Sequence, residues 1–155
     1  MKGTIEKKGF IEKYTYIVVA YPIGHRCGYV RIARDNPLFN EFLGNNNFLE
    51  VYELCVHGGI TFVETSVWWE NKEGSLWIGF DCTHYGDAQD PQIRTYYAGE
   101  RQKEGEIRTC EYVENECLSL IKQLKTLEPD RWKLLETGGK NKAPRKLIDL
   151  FRSFL

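Results

Sequence analysis

The apolar pattern of this chain changes period once, at Thr109, and that change constrains the fold more than any other feature. Upstream, apolar residues come in short β-branched and aromatic runs closed by turn residues. Residues 14–21 read Tyr-Thr-Tyr-Ile-Val-Val-Ala-Tyr and stop at Pro22. Such side chains suit a pleated surface, so the run predicts a strand. Residues 28–33 predict its hairpin partner, with residues 22–27 as the connecting loop. Residues 34–47 hold Asp35-Asn36-Pro37 and Gly44-Asn45-Asn46-Asn47, which predicts a loop with one helical turn near residues 38–43. Residues 50–56 and 60–69 are again strand-like, broken by Gly58-Gly59. A turn at residues 70–74 leads into a last apolar strand at residues 76–81.

Downstream, Val113, Cys117, Leu120, Ile121 and Leu124 recur at helical spacing. Thr109 suits the N-cap, and Glu111 suits the positive end of the helix dipole. The spacing predicts a helix to about Leu127, packed on the sheet, and a separate short helix over residues 131–135 behind Pro129. Residues 137–144 read as a linker. Residues 145–155 read as an amphipathic helix with Leu147, Ile148, Phe151, Phe154 and Leu155 on one face. So short a helix is marginal alone, so its stripe needs cover from the body or from a second copy of the chain. The expected fold class is therefore α+β: an antiparallel β-sheet over residues 10–85 packed against C-terminal helices, with residues 1–136 as one domain.

Composition removes several classes of function. A net charge of −1 argues against a nucleic-acid footprint. No apolar run is long enough to span a membrane, and none follows Met1-Lys2 as a signal peptide would. Five cysteines without paired spacing argue against a disulfide framework and for the cytoplasm.

The chemistry concentrates in three glycine-containing runs that hold all three histidines: Gly24-His25-Arg26-Cys27-Gly28, Val56-His57-Gly58-Gly59, and Asp81-Cys82-Thr83-His84-Tyr85-Gly86-Asp87. Glycine permits close backbone approach, and histidine donates or accepts near neutral pH. The pattern predicts one pocket built from three separated segments at one sheet edge. In a binding reading, His57, the Gly58-Gly59 amides and Arg26 hold a ligand's phosphate, Asp81, His84 and Asp87 take ribose or base groups, and His25 and Thr61 are further ligand-binding residues. In a catalytic reading, His57 and His84 act as acid and base with Asp81 and Asp87, or Cys82 attacks as a nucleophile. A metal reading would use His57, His84, Asp81 and Asp87, but no ligand spacing supports it, so neither metal nor cofactor is expected. Arg26 has a second option, a structural pair with Asp81 or Asp87. Trp68 and Trp69 are adjacent, so in a strand one faces the core and the other is offered for stacking; Tyr96-Tyr97 poses the same choice.

Taken together, the motifs His25–Val30, Pro37-Leu38, Val56–Phe62, Trp77–Asp87 and the tyrosine-initiated helix from Tyr112 resemble a widespread family of small bacteriophage and prophage proteins. The likeness covers roughly residues 14–125. Leu76-Trp77 stands where relatives show a Trp pair. The resemblance implies action in the cytoplasm of a bacterial host and brings no assigned reaction. By analogy of class, it points to a protein that sequesters a nucleotide-like signal of bacterial immunity, of cyclic ADP-ribose or cyclic dinucleotide type, as a homo-oligomer. The rivals are a phosphodiesterase that cleaves such a signal, and an interaction module that blocks a host effector.

Overall fold

A computed structural model describes residues 2–43, 53–71, 74–96 and 104–136, with side chains in the last segment to residue 128. Five antiparallel strands form one sheet: β1 (Thr4–Ile11), β2 (Tyr14–Ala20), β3 (Arg26–Ile32), β4 (Phe62–Glu64) and β5 (Leu76–Asp81), in the spatial order β1-β2-β3-β5-β4. A short helix α1 (Leu38–Leu43) follows β3. A two-stranded parallel ladder joins β6 (Asp87–Ala88) to β7 (Glu106–Ile107), and a long helix α2 (Cys110–Glu136) closes the described chain. This is the α+β class expected.

All seven residues of β2 are buried, because the central strands are covered on both faces. Alternation sorts them. Tyr16, Val18, Val30, Ile32, Ile78 and Phe80 face α2, which sets Val113, Cys117, Leu120, Ile121 and Leu124 against them. Leu38, Phe39 and Phe42 of α1 join that core. Ile17, Val19, Tyr29 and Trp77 face the other way, onto Phe62, Val67 and Trp69. Thr109 caps α2 as expected, accepting from the Tyr112 N–H at 3.1 Å.

Four expectations change. β1 was not foreseen: its side chains are exposed along almost its whole length, so no buried alternation marks it. Residues 53–56 carry no strand, while residues 50–52 lie outside the described residues. The strand expected over residues 60–69 shrinks to β4, and Trp68-Trp69 fall in a turn that lays Trp69 on Tyr29 at 4.6 Å between ring centroids. Aromatic packing on the second face outweighs strand propensity there. Helix α2 runs through Pro129 to Glu136 with no break for a separate helix. A proline inside a helix forfeits one backbone hydrogen bond and crowds the preceding turn, but the chain need not leave the helix. The expected linker and terminal helix at residues 137–155 lie outside the described residues, as does Tyr97.

Candidate functional site

Three segments meet beside the end of β5. The turn after residue 56 carries His57, the loop after β5 carries Cys82 to Gly86, and Arg108 and Tyr112 lie at the start of α2. Asp87 is their hub. Its side chain is 1% exposed. Its Oδ2 accepts from His57 Nε2 at 2.7 Å and from the His84 backbone N–H at 3.0 Å. Its Oδ1 accepts from Arg108 Nε at 2.9 Å. Burial alone raises a carboxyl's pKa, but the bonds from Arg108, His57 and the His84 amide outweigh it and hold Asp87 below its ordinary range.

An ionised carboxylate only accepts, so His57 carries a proton on Nε2. Its Nδ1 lies 2.9 Å from the Tyr112 hydroxyl, which in turn lies 3.3 Å from Glu116 Oε1. When the imidazole is neutral, the Tyr112 hydroxyl donates to Nδ1. When it is charged, Nδ1 donates to Tyr112, and the phenol proton turns to Glu116. The Tyr112 pKa is raised, first by burial and then by Glu116, so the phenol stays protonated. Arg108 lies 4.9 Å above the Tyr112 ring. Both His57 nitrogens are thus engaged inside the protein.

His84 packs beside His57, with ring centroids 5.8 Å apart. Its Nε2 is 3.6 Å from Asp81 Oδ1. Asp81 accepts from the Thr61 hydroxyl at 2.8 Å and from the Thr83 hydroxyl. Burial raises its pKa, but those hydroxyls and the His84 charge lower it further, for a net fall. The Gly58-Gly59 pair reads differently from a phosphate cradle. A Cβ on Gly58 would stand 2.0 Å from His84 Nε2, at φ +68°, so the glycine exists to let the imidazole lie against the backbone. The Gly59 N–H is spent on the Val56 carbonyl at 2.9 Å.

Arg26 takes neither expected role. Its guanidinium is 7% exposed and binds Glu6 through Nε and Nη2, at 2.6 and 3.2 Å, and Asp90 and the Arg108 carbonyl through Nη1, at 2.8 and 3.1 Å. It is a strut between β1, β3 and the approach to α2, with four hydrogen bonds drawn from its five N–H donors. Cys82 is 3% exposed, and burial followed by the charge of Asp87 drives its pKa up, so its thiol stays protonated and makes no nucleophile. No group of three or more metal-ligating side chains gathers among the described residues.

His25 stacks on Tyr21, with centroids 5.4 Å apart and ring planes at 16°. It reaches the hub from its far side. Ile23, His25, Cys82, Thr83, Asp87, Ala88 and Gln89 line a partly open cleft of about 90 Å³. His57 and His84 are in contact, but the cleft is lined by His25 and by Cys82, Thr83 and Asp87 of the third run. It is not lined by His57, Gly58, Gly59, Thr61, Asp81, His84 or Arg26, so the three runs share the Asp87 neighbourhood without forming the one pocket expected. Trp69 packs on the second-face cluster, and Trp68, 37% exposed, is edge-on to Trp69. Tyr96 is 52% exposed.

Sequence reasoning missed Arg108, Glu116, Glu6, Asp90 and Gln89. Tyr112 and Glu116 carry a faint signal, since four residues apart on a helix they share a face. Nothing marks Arg108 or Glu6, whose partners are far away in the chain. No family model, curated protein or solved structure matches this chain.

Proposed function

We propose that the protein binds a small nucleotide-like molecule at the Asp87 cleft and holds it unchanged. The observation that carries the reading is the state of the groups around the cleft. The histidine runs approach one another, yet apart from His84, whose Nε2 has no hydrogen-bond partner among the described residues, the groups that chemistry would need are already committed. His57 is bonded at both nitrogens, Arg26 is consumed by Glu6 and Asp90, and the Cys82 thiol is buried and protonated. With those groups engaged inside the protein, the reading favours binding over turnover. The phage-family likeness supplies the setting: capture of a signal of bacterial immunity, of cyclic ADP-ribose or cyclic dinucleotide type, in the host cytoplasm.

Size limits the reading. Pockets that engulf drug-sized ligands span about 300–1,000 Å³, against about 90 Å³ here. One group of a nucleotide enters, and the remainder lies outside, against the rim or a second copy of the chain. Such a copy would give the proposed homo-oligomer a functional reason.

Calorimetry with a cyclic ADP-ribose and with cyclic dinucleotides tests the reading. At least one should bind tighter than about 10 μM, roughly −7 kcal/mol. If all bind more weakly, the reading falls. Boiling the complex and analysing the supernatant by mass spectrometry should return the ligand intact; a cleaved product returned under excess substrate would favour a hydrolase instead.

A further inference from the structure

The binding reading leaves open which part of a nucleotide enters the cleft, and the chemistry of the wall decides it. The Thr83 hydroxyl donates its proton to Asp81, so toward a ligand its oxygen has only lone pairs to offer. Gln89 Oε1 is buried and has no hydrogen-bond partner among the described residues. Asp87 forms part of the same wall, and Asp81 stands behind Thr83. The cationic side chains nearest the hub, Arg26 and Arg108, spend themselves on Glu6, Asp90, Asp87 and Glu106. No described Lys or Arg lines the cleft: it meets an incoming group with the Thr83 and Gln89 oxygens, with the His25 imidazole also in its wall, a setting that favours a neutral donor over phosphate. At about 90 Å³ the cleft is far smaller than pockets that engulf a drug-sized ligand, about 300–1,000 Å³, so one small polar group suits it better than a whole nucleotide.

Resting on the binding reading, we propose that the cleft takes the vicinal diol of a ribose, its hydroxyls donating to Gln89 Oε1 and Thr83 Oγ1, with base and phosphate left at the rim. Gln89 is half-buried, and its terminal amide turns on a soft torsion, so its sealed oxygen can swing to a donor. Ile23, Ala88 and Cys82 give the furanose carbons an apolar bed. The assignment separates the two candidate signals. A cyclic dinucleotide joined through its 3′ oxygens has no vicinal diol, whereas a cyclic ADP-ribose retains one.

The test is a ¹H–¹⁵N NMR titration of the full chain with adenosine monophosphate, its 2′,3′-dideoxy analogue, methyl β-ribofuranoside and inorganic phosphate. Adenosine monophosphate and the riboside should move the Gln89 side-chain amide and the Cys82 and Thr83 backbone signals. The dideoxy analogue should bind at least tenfold more weakly, and phosphate should leave those signals in place. Gln89→Leu should weaken adenosine monophosphate at least tenfold, and Gln89→Glu, which keeps an acceptor, should restore it. If Gln89→Leu fails to fold, the dideoxy comparison decides alone. Equal binding of the dideoxy analogue, or phosphate moving the same signals, overturns the diol assignment and leaves the binding reading standing. If neither these probes nor any cyclic nucleotide moves the cleft signals, both fall.

Discussion

Asp87 shows how one residue governs the site. Three donors point at a carboxylate that is 1% exposed. Asp87→Ala should therefore cost roughly 3 kcal/mol in urea unfolding, since it strands the facing Arg108 and His57 donors. The pH dependence follows in sign. Asp87 and Asp81 both titrate below their unfolded values, so their contribution is fully present above about pH 4 and is lost as pH falls through the folded values. Unfolding free energy measured from pH 7 to pH 3 should fall on the acid side, and less steeply in Asp87→Asn. Gly58→Ala should cost about 1–3 kcal/mol, combining strained φ with the collision against His84. Gly59→Ala should cost less, about 1 kcal/mol, because φ is +82° but a Cβ there meets nothing within 4 Å. Equal losses in thermal melts converted to free energy would show that the His84 contact does not set the role of Gly58.

At the scale of elements, the decisive joints are between segments far apart in the chain. Gln123 on α2 clasps the backbone of Cys55 from both sides: its Oε1 accepts the Cys55 N–H at 2.8 Å and its Nε2 donates to the Cys55 carbonyl at 2.9 Å. That clasp positions the segment that delivers His57. Gln123→Ala should leave global stability within about 1.5 kcal/mol while speeding amide exchange of residues 55–59 severalfold. Unchanged exchange would mean the turn holds itself. The same joints explain what was legible beforehand. β2, β3 and β5 announce themselves because burial on a sheet imposes β-branched and aromatic runs, and α2 does so because one face must meet that sheet. β1 was illegible because an exposed edge strand has no such duty, and its Lys7 and Lys8 are residues that commonly guard edges. The site was half legible: the glycine-histidine runs pointed to a gathering, but the partners that fix their roles, Arg108 and Glu6 above all, have no local pattern to betray them.

At the scale of the molecule, the sheet separates two cores of different character. One is larger, mixes aliphatic side chains with Tyr14, Tyr16, Phe39, Phe42 and Phe80, and is closed by α2; the other is mainly aromatic, built on Tyr29, Phe62, Trp69 and Trp77. Both cores hold buried thiols. Cys27, Cys82 and Cys117 are buried, and burial pushes the Cys27 thiol up to about 12, whereas Cys55 is exposed. Alkylation of the native protein by iodoacetamide at pH 8, followed by peptide mass spectrometry, should label Cys55 first and spare the three buried thiols until denaturant is added. Early labelling of Cys82 would mean that the cleft opens to its floor.

The placement of the hub's partners also gives the protein a birth order. His57 and Asp87 leave the ribosome before Arg108, Tyr112 and Glu116, and synthesis adds roughly 5–20 residues each second. For several seconds the nascent chain holds a carboxylate and an imidazole with nothing to bond, and a sheet whose helix-facing side is bare. The pocket is therefore absent from any chain stopped short of α2. Truncation at the start of the helix should abolish the cleft and the fold together, read as loss of the cooperative thermal transition.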